Sequence, residues 1–245
     1  MRISIELTPR NLDSLVRDLR TVREKLPRAN MINIPDLLRF NIRSWEGCRA
    51  AKAFYPRVVP HIRAIDIDPA APLAIAAYLR QHGINEVLVV TGDKPQDMNH
   101  KIFPTTSLDA ISKFKRELPD IAVYATLNPY RQSFWDEREL LKRKMDAGAD
   151  GFFTQPIFDL RLMDLCAELA DPGKVFWGAS PVQSEKSRHY WETTNRVVFP
   201  KEFRPTIDWN RSLAAAVFQR AKALESNIYF MPIRADLMEY LGGIV

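Results

Sequence analysis

The chain has 245 residues, 46% hydrophobic and 27% charged, with a formal net charge of +5 and a pI near 9.2. This is ordinary globular composition with ample core material, and no apolar run approaches the roughly 18 residues of a membrane span. Its basic residues are interleaved with acids, as in Asp136-Glu137-Arg138-Glu139 before Lys142-Arg143-Lys144, which reads as solvated helix faces and argues against nucleic acid as a partner.

The first residues enter an apolar alternation at once, without the long apolar region and cleavage site of a signal peptide, so a cytoplasmic location is expected. Cys48 and Cys166 stand far apart and outside any metal-ligand spacing. They read as buried small hydrophobes rather than a disulfide or a zinc site. A cleft that attracts small polyanions accommodates the surplus positive charge.

In chain order, Ile3–Leu7 alternates as a strand stopped by Thr8-Pro9, and 11–25 carries Leu12, Leu15, Val16, Leu19 and Val22 at helical spacing. Met31–Ile34 is a second strand closed by Pro35. Its helix is expected over 44–54, with Ser44 as N-cap. Val58–Arg63 is a third strand, followed by a helix over 72–81 that stops at Gly83. Glu86–Thr91 is an unbroken β-branched run, the signature of a parallel strand buried on both faces. A helix over 108–118, strand Ile121–Tyr124 and helix 134–147 follow. Then come strand Gly151–Thr154, helix 160–169, strand Val175–Gly178 and helix 185–194. After a longer insertion, a helix over 212–224, strand Ile228–Met231 and a helix from Ala235 complete eight strand–helix units. This pattern predicts one (β/α)8 barrel spanning residues 1–245, near the roughly 250 residues typical of that fold. An open doubly wound sheet is the competitor, but the dinucleotide-binding glycine motif is absent.

Barrels put their chemistry at the C-terminal ends of the strands. Standing there are Glu6, Asn33 with Asp36, His61 with Arg63, Thr91-Gly92-Asp93, Tyr124, Gln155, Gly178 and Arg234. Glu6 interrupts an apolar strand, and a buried carboxylate needs a partner or a task. The partner would be Arg63 or Arg234; the task would be that of a general acid with a raised pKa. Gly92 after the most buried strand either lets a ligand approach the backbone or makes a tight turn. Arg143 and Lys144 either contact phosphate or are solvated charge.

Several segments are similar to methylenetetrahydrofolate reductases. Val89–Pro95 resembles that family's Arg-Gly-Asp-x-Pro segment. Leu141–Asp150 running into Phe153–Asp159 resembles its Leu-Lys-x-Lys-x-Asp-Ala-Gly-Ala stretch and its Thr-Gln-x-x-Phe-Asp box. The resemblance implies a barrel that passes hydride from NADH or NADPH through FAD to 5,10-methylenetetrahydrofolate, giving 5-methyltetrahydrofolate. It makes Glu6 the acid that protonates the folate, sets Asp93 between flavin and pterin, and assigns Gln155 and Arg234 to folate. It assigns His61, Thr91, Gly92, Tyr124, Arg143 and Lys144 to FAD, with Glu137 as an acidic residue on the flavin side. Departures from the family pattern fall on that flavin side: Thr91 stands where the family has arginine, and Tyr124–Pro129 lacks the family's histidine. A tetrahydrofolate-dependent methyltransferase or demethylase, or a flavin-free folate-binding variant of the same barrel, therefore stands beside the reductase. No metal is expected, and a homo-oligomer or a partner subunit is left open.

Overall fold

The computed structural model describes residues 1–245 other than Gln96, Met98 and Asn99. Eight parallel strands close into a barrel in sequence order: β1 (Ile3–Glu6), β2 (Met31–Ile34), β3 (Val58–Arg63), β4 (Glu86–Val90), β5 (Ala122–Leu127), β6 (Gly151–Pro156), β7 (Val175–Ala179) and β8 (Asn227–Phe230). The closing pair sets Ser4 opposite Tyr229 and Ile5 opposite Phe230. Around the strands run α1 (Leu12–Lys25), α2 (Ser44–Ala51), α3 (Ala76–Gln81), α4 (Ser107–Glu117), α5 (Phe134–Asp146), α6 (Leu160–Ala167), α7 (Glu185–Asn195), α8 (Ile207–Ala223) and α9 (Leu237–Leu241). The expected eight-fold barrel is the observed one.

Because side chains alternate along a strand, the barrel has two apolar layers. Ile3, Ile5, Ile32, Ile34, Val87, Val89 and Trp177 face the helices and pack with residues such as Leu15, Leu19 and Phe114. Met31, Val59, Leu88, Tyr124, Phe153, Phe176 and Tyr229 fill the interior. Burial of both faces explains why β4 reads as a continuous apolar run. Inside, Phe153 and Phe176 stack at 4.1 Å with an interplanar angle of 5°, and Tyr229 packs edge-on against Phe153 at 5.1 Å.

Several boundaries differ from expectation. Arg43, not Ser44, is the N-cap of α2, while Glu46 accepts from the Arg43 amide. Ser44 lies one residue inside, where its hydroxyl donates to the His61 carbonyl and ties α2 to β3. The third helix begins at Ala76 rather than at 72. The eighth begins five residues earlier than expected because Thr206 caps it through the Trp209 amide. Both cysteines are buried and unpaired. No helix among the described residues is long and apolar enough to cross a membrane.

Candidate functional site

Glu6 ends β1, and the alternation that sends Ile3 and Ile5 outward turns Ser4 and Glu6 into the barrel. Its side chain keeps only 12% exposure. Tyr229 on β8 donates its phenol to Glu6 Oε2, and His61 Nε2 on β3 lies 3.9 Å from the same oxygen and 3.5 Å from the phenol. Asn33 on β2 presents its amide nitrogen to His61 Nε2 at 3.2 Å, and Ser4 donates to the Asn33 amide oxygen at 2.6 Å. Since the Asn33 nitrogen can only donate, His61 Nε2 accepts, and the ring is neutral with its proton on Nδ1.

The electrostatics follow from that burial. Removal from water penalises the carboxylate and pushes Glu6 up to about 7, with the Tyr229 hydrogen bond pulling the other way. The same desolvation pushes His61 down to about 3. Tyr229 is raised well above the usual phenol value, by burial first and then by Glu6. Near neutrality this group therefore holds a carboxyl able to give a proton, beside an imidazole and a phenol that keep theirs. The salt bridges expected for Glu6 do not form. Arg63 instead donates to Asp66 at 3.1 Å and to the Asp93 carbonyl at 2.6 Å, and Arg234 is exposed at a left-handed φ of 55° just past β8.

Gln155, half-buried near the end of β6, sits at a bulge where the register with β7 shifts between Phe153 and Pro156. Thr154 stabilises it, donating to the Gln155 carbonyl and accepting from the Gly178 amide, each at 2.7 Å. Bulges re-aim side chains at barrel rims. Gly178 is what permits the close approach, since a Cβ there would stand 2.8 Å from the Thr154 carbonyl oxygen.

The rim over β2 to β4 is filled by ion pairs. Arg43 holds Asp36 through two nitrogens, at 3.0 and 2.6 Å, and reaches Asp66 at 3.0 Å. Asp66 also takes Arg63, and His100 at 3.1 Å. A cavity of about 570 Å³ lies beside this lattice, with Arg39, Lys94 and Asp93 also on its wall.

The residues assigned to FAD do not converge on one cradle. Tyr124 points to the opposite end of the barrel, where its hydroxyl donates to Glu86 at the start of β4, at 2.8 Å, and accepts from Arg2. Lys144 is buried and donates to the Thr126 carbonyl, and burial pushes its pKa down. Arg143 is exposed in the last turn of α5, the end that leads into the start of β6. Glu137 is buried, with one oxygen on the Asn128 amide and the other on Gln132. Gly92 has a φ of 88°, and a Cβ there would stand 3.0 Å from Arg63 Cβ and Ile65 Cγ1. The turn and the close packing on Arg63 and Ile65 both require glycine here. Thr91 and Asp93 are exposed, and only His61 of the flavin set lies with Glu6. These residues do not fit a flavin in the way the resemblance implies.

Sequence reasoning missed Tyr229, Ser4 and the Arg43–Asp66 pairing. The inward alternation of β8 marks Tyr229, a phenol in the same layer as Phe153. Arg63, three residues earlier, is a local partner of Asp66, but Arg43 and His100 reach it from distant segments.

Fold and site together define an eight-fold barrel with a protonatable carboxyl held at the C-terminal mouth. The family model for methylenetetrahydrofolate reductase matches residues 48–225, and the chain belongs to that family. It is 28% identical over 142 residues to the 5,10-methylenetetrahydrofolate reductase of Escherichia coli K12, covering 56% of this chain and 48% of that protein. To the Pectobacterium carotovorum enzyme of that name it is 27% identical over 154 residues, 61% of this chain and 52% of the other. The chain spans about half the length of the curated relatives it matches. Among solved structures, the fold is shared at a TM-score of 0.67 and 12% identity with a Clostridium thermocellum protein described as binding two copies of 5-methyl-5,6,7,8-tetrahydrofolic acid. That similarity covers 99% of this chain and 92% of that one. A 2,3-dimethylmalate lyase shares the fold at 0.59 and 12% identity, over 96% and 75% of the two chains. The family match starts after β2 and ends before β8, so Glu6, Tyr229 and Arg234 lie outside it.

Proposed function

We propose that this chain is a one-carbon enzyme that binds a reduced folate over Glu6 and reduces 5,10-methylenetetrahydrofolate to 5-methyltetrahydrofolate. The observation that carries this reading is the buried Glu6 carboxyl, raised to about 7 and aimed into the barrel mouth. Opening the five-membered ring of the substrate requires a proton on the nitrogen that leaves the bridging carbon. Glu6 gives that proton, the carbon becomes an iminium, and hydride from NADH or NADPH completes the methyl group. Glu6 then regains its proton from solvent. Gln155 can both donate to and accept from a pterin edge, Asp93 and Arg234 extend the contact at the rim, and the neutral His61 holds the acid side of the site without competing for its proton.

A second reading is a flavin-free use of the same folate site, including methyl transfer to or from tetrahydrofolate. The placement of Tyr124, Lys144 and Glu137 favours it, because each makes structural contacts instead of a flavin cradle.

The test is conversion of 5,10-methylenetetrahydrofolate with NADH or NADPH by purified protein, with and without added FAD, alongside the absorption spectrum. Conversion that stops in Glu6→Gln supports the reductase; a colourless protein that converts substrate without FAD selects direct hydride transfer. No conversion in any combination, with tetrahydrofolate still bound, moves the assignment to methyl transfer.

A further inference from the structure

We propose that Tyr229 is a positioning residue for the proton transfer: its phenol fixes one oxygen of Glu6 and leaves the other to face the folate. This rests on the reading of Glu6 as the folate acid, and it goes beyond that reading in naming what holds the acid.

Tyr229 lies opposite Ser4, two residues below Glu6 on the neighbouring strand, so its ring must rise along the interior wall to reach the carboxyl. The ring is 3% exposed. It leans edge-on against Phe153 at an angle of 86°, and Phe153 is stacked flat on Phe176. Aromatic pairs of this kind pin a ring in both position and tilt. The phenol therefore arrives at Glu6 from a rigid stack that reaches from β6 through β7, and its hydrogen bond selects Oε2.

The other groups around Glu6 do not hold its carboxyl in the same way. His61 stands 3.9 Å from Oε2, beyond hydrogen-bonding distance, and its Nε2 is occupied by Asn33. On the outer side Glu6 lines a cavity of about 260 Å³ that also holds Arg10 and Asp18 of the α1 side and Asp236 before α9. Those charged groups make no hydrogen bond to Glu6 among the described contacts, so the orientation of the carboxyl comes from Tyr229. Burial keeps the phenol protonated throughout the working range, which makes it a fixed donor and not a station for the travelling proton.

The experiment compares the wild type, Tyr229→Phe and Glu6→Gln for folate turnover across pH, with folate affinity measured by calorimetry. For Tyr229→Phe the expected results are folate affinity within about threefold of wild type and turnover reduced about 10- to 100-fold, a loss in kcat and not in KM. The alkaline limb of the profile should also move to higher pH, because the anion of Glu6 loses its donor. A Tyr229→Phe protein with wild-type turnover and an unmoved limb, where Glu6→Gln is inactive, overturns the positioning role and leaves the acid in place. Glu6→Gln with wild-type turnover removes the acid itself, and this inference with it. Should Tyr229→Phe not fold, Phe153→Leu keeps the phenol and loosens its support. A smaller loss of kcat at unchanged affinity then supports the role, and wild-type kcat overturns it.

Discussion

Two sectors of the same barrel carry buried carboxyls and use them in opposite ways. Between β8, β1, β2 and β3, Glu6 sits with a phenol, a neutral imidazole and an amide, none of which cancels its charge. On the β5–α5 side, Glu137 is buried more deeply still, at 2% exposure, yet its two oxygens accept from the Asn128 amide and from Gln132 and so fasten the loop that leads into α5. Burial alone does not make a functional acid; what decides is whether the partners consume the carboxylate's hydrogen-bonding capacity or leave an oxygen free. The first sector raises its carboxyl to about 7, and the second ties a loop to its helix.

The largest effect that distinguishes them is on rate. Glu6→Gln preserves size and can still accept from Tyr229, but cannot deliver a proton, so the folate step should fall by about 10²–10⁴-fold, the usual range for general acid catalysis. Glu137→Gln should leave that step near wild type while lowering the melting temperature. Single-turnover kinetics on the two variants checks the contrast. Equal losses would show that the two carboxyls are not doing different work.

Next in size is the pH dependence of stability. Glu6 binds its proton more tightly when folded, with a pKa near 7 against an ordinary 4.5. Its stabilising contribution is complete below about 4.5 and is lost as pH rises to about 7. His61 runs the other way: with a folded value near 3 against 6.5, its contribution is complete above about 6.5 and is lost as pH falls toward 3. Glu6→Gln should therefore be more stable than wild type above pH 7, by roughly 2–3 kcal/mol, and the advantage should vanish near pH 4.5. Denaturant titrations at pH 4.5 and 8 measure it. A constant difference at both values would mean that folding does not raise the Glu6 pKa.

The fold was readable in the sequence because every strand is buried on both faces and every connection carries a helical period. The boundaries that slipped were those set by caps, such as Thr206, or by tertiary ties, such as Ser44 to His61. Of the site, Glu6 was legible as an acid in an apolar strand, and its burial accounts for its raised pKa. Its partners were not, since pairing β1 with β8 brings Tyr229 to it across 223 positions of sequence. Tyr124 was misplaced for a related reason. It stands two residues into β5 with three still to come, and its phenol runs down the interior toward Arg2 and Glu86.

Gln155 sharpens the comparison from the rim. Its half-buried side chain follows the Thr154 bulge, and if the pterin edge lies against it, Gln155→Ala should weaken folate binding by roughly 1–3 kcal/mol through the unpaired polar groups left behind. Calorimetry with tetrahydrofolate reads this directly, and unchanged affinity would remove Gln155 from the site.

The smallest expected effect falls at the far end of the barrel, where Tyr124 tests whether a family-like residue has been reassigned. Its hydroxyl accepts from Arg2 at 2.6 Å and donates to Glu86, which also binds Arg2 at 2.7 Å and Arg57 at 3.3 Å. Burial and the neighbouring Glu86 raise its pKa, so it stays protonated and serves as a neutral link between the two charges. Tyr124→Phe keeps the ring in the interior stack, where it meets Phe153 at 5.3 Å. It removes the hydroxyl alone, while Arg2 and Glu86 keep each other. The expected cost is therefore about 0.5–1.5 kcal/mol of stability, a single net hydrogen bond, with folate affinity, turnover and FAD affinity unchanged. A loss of FAD affinity in Tyr124→Phe at unaltered stability would place this phenol at the mouth in the working enzyme, and would require β5 to present it in the direction opposite to the one seen.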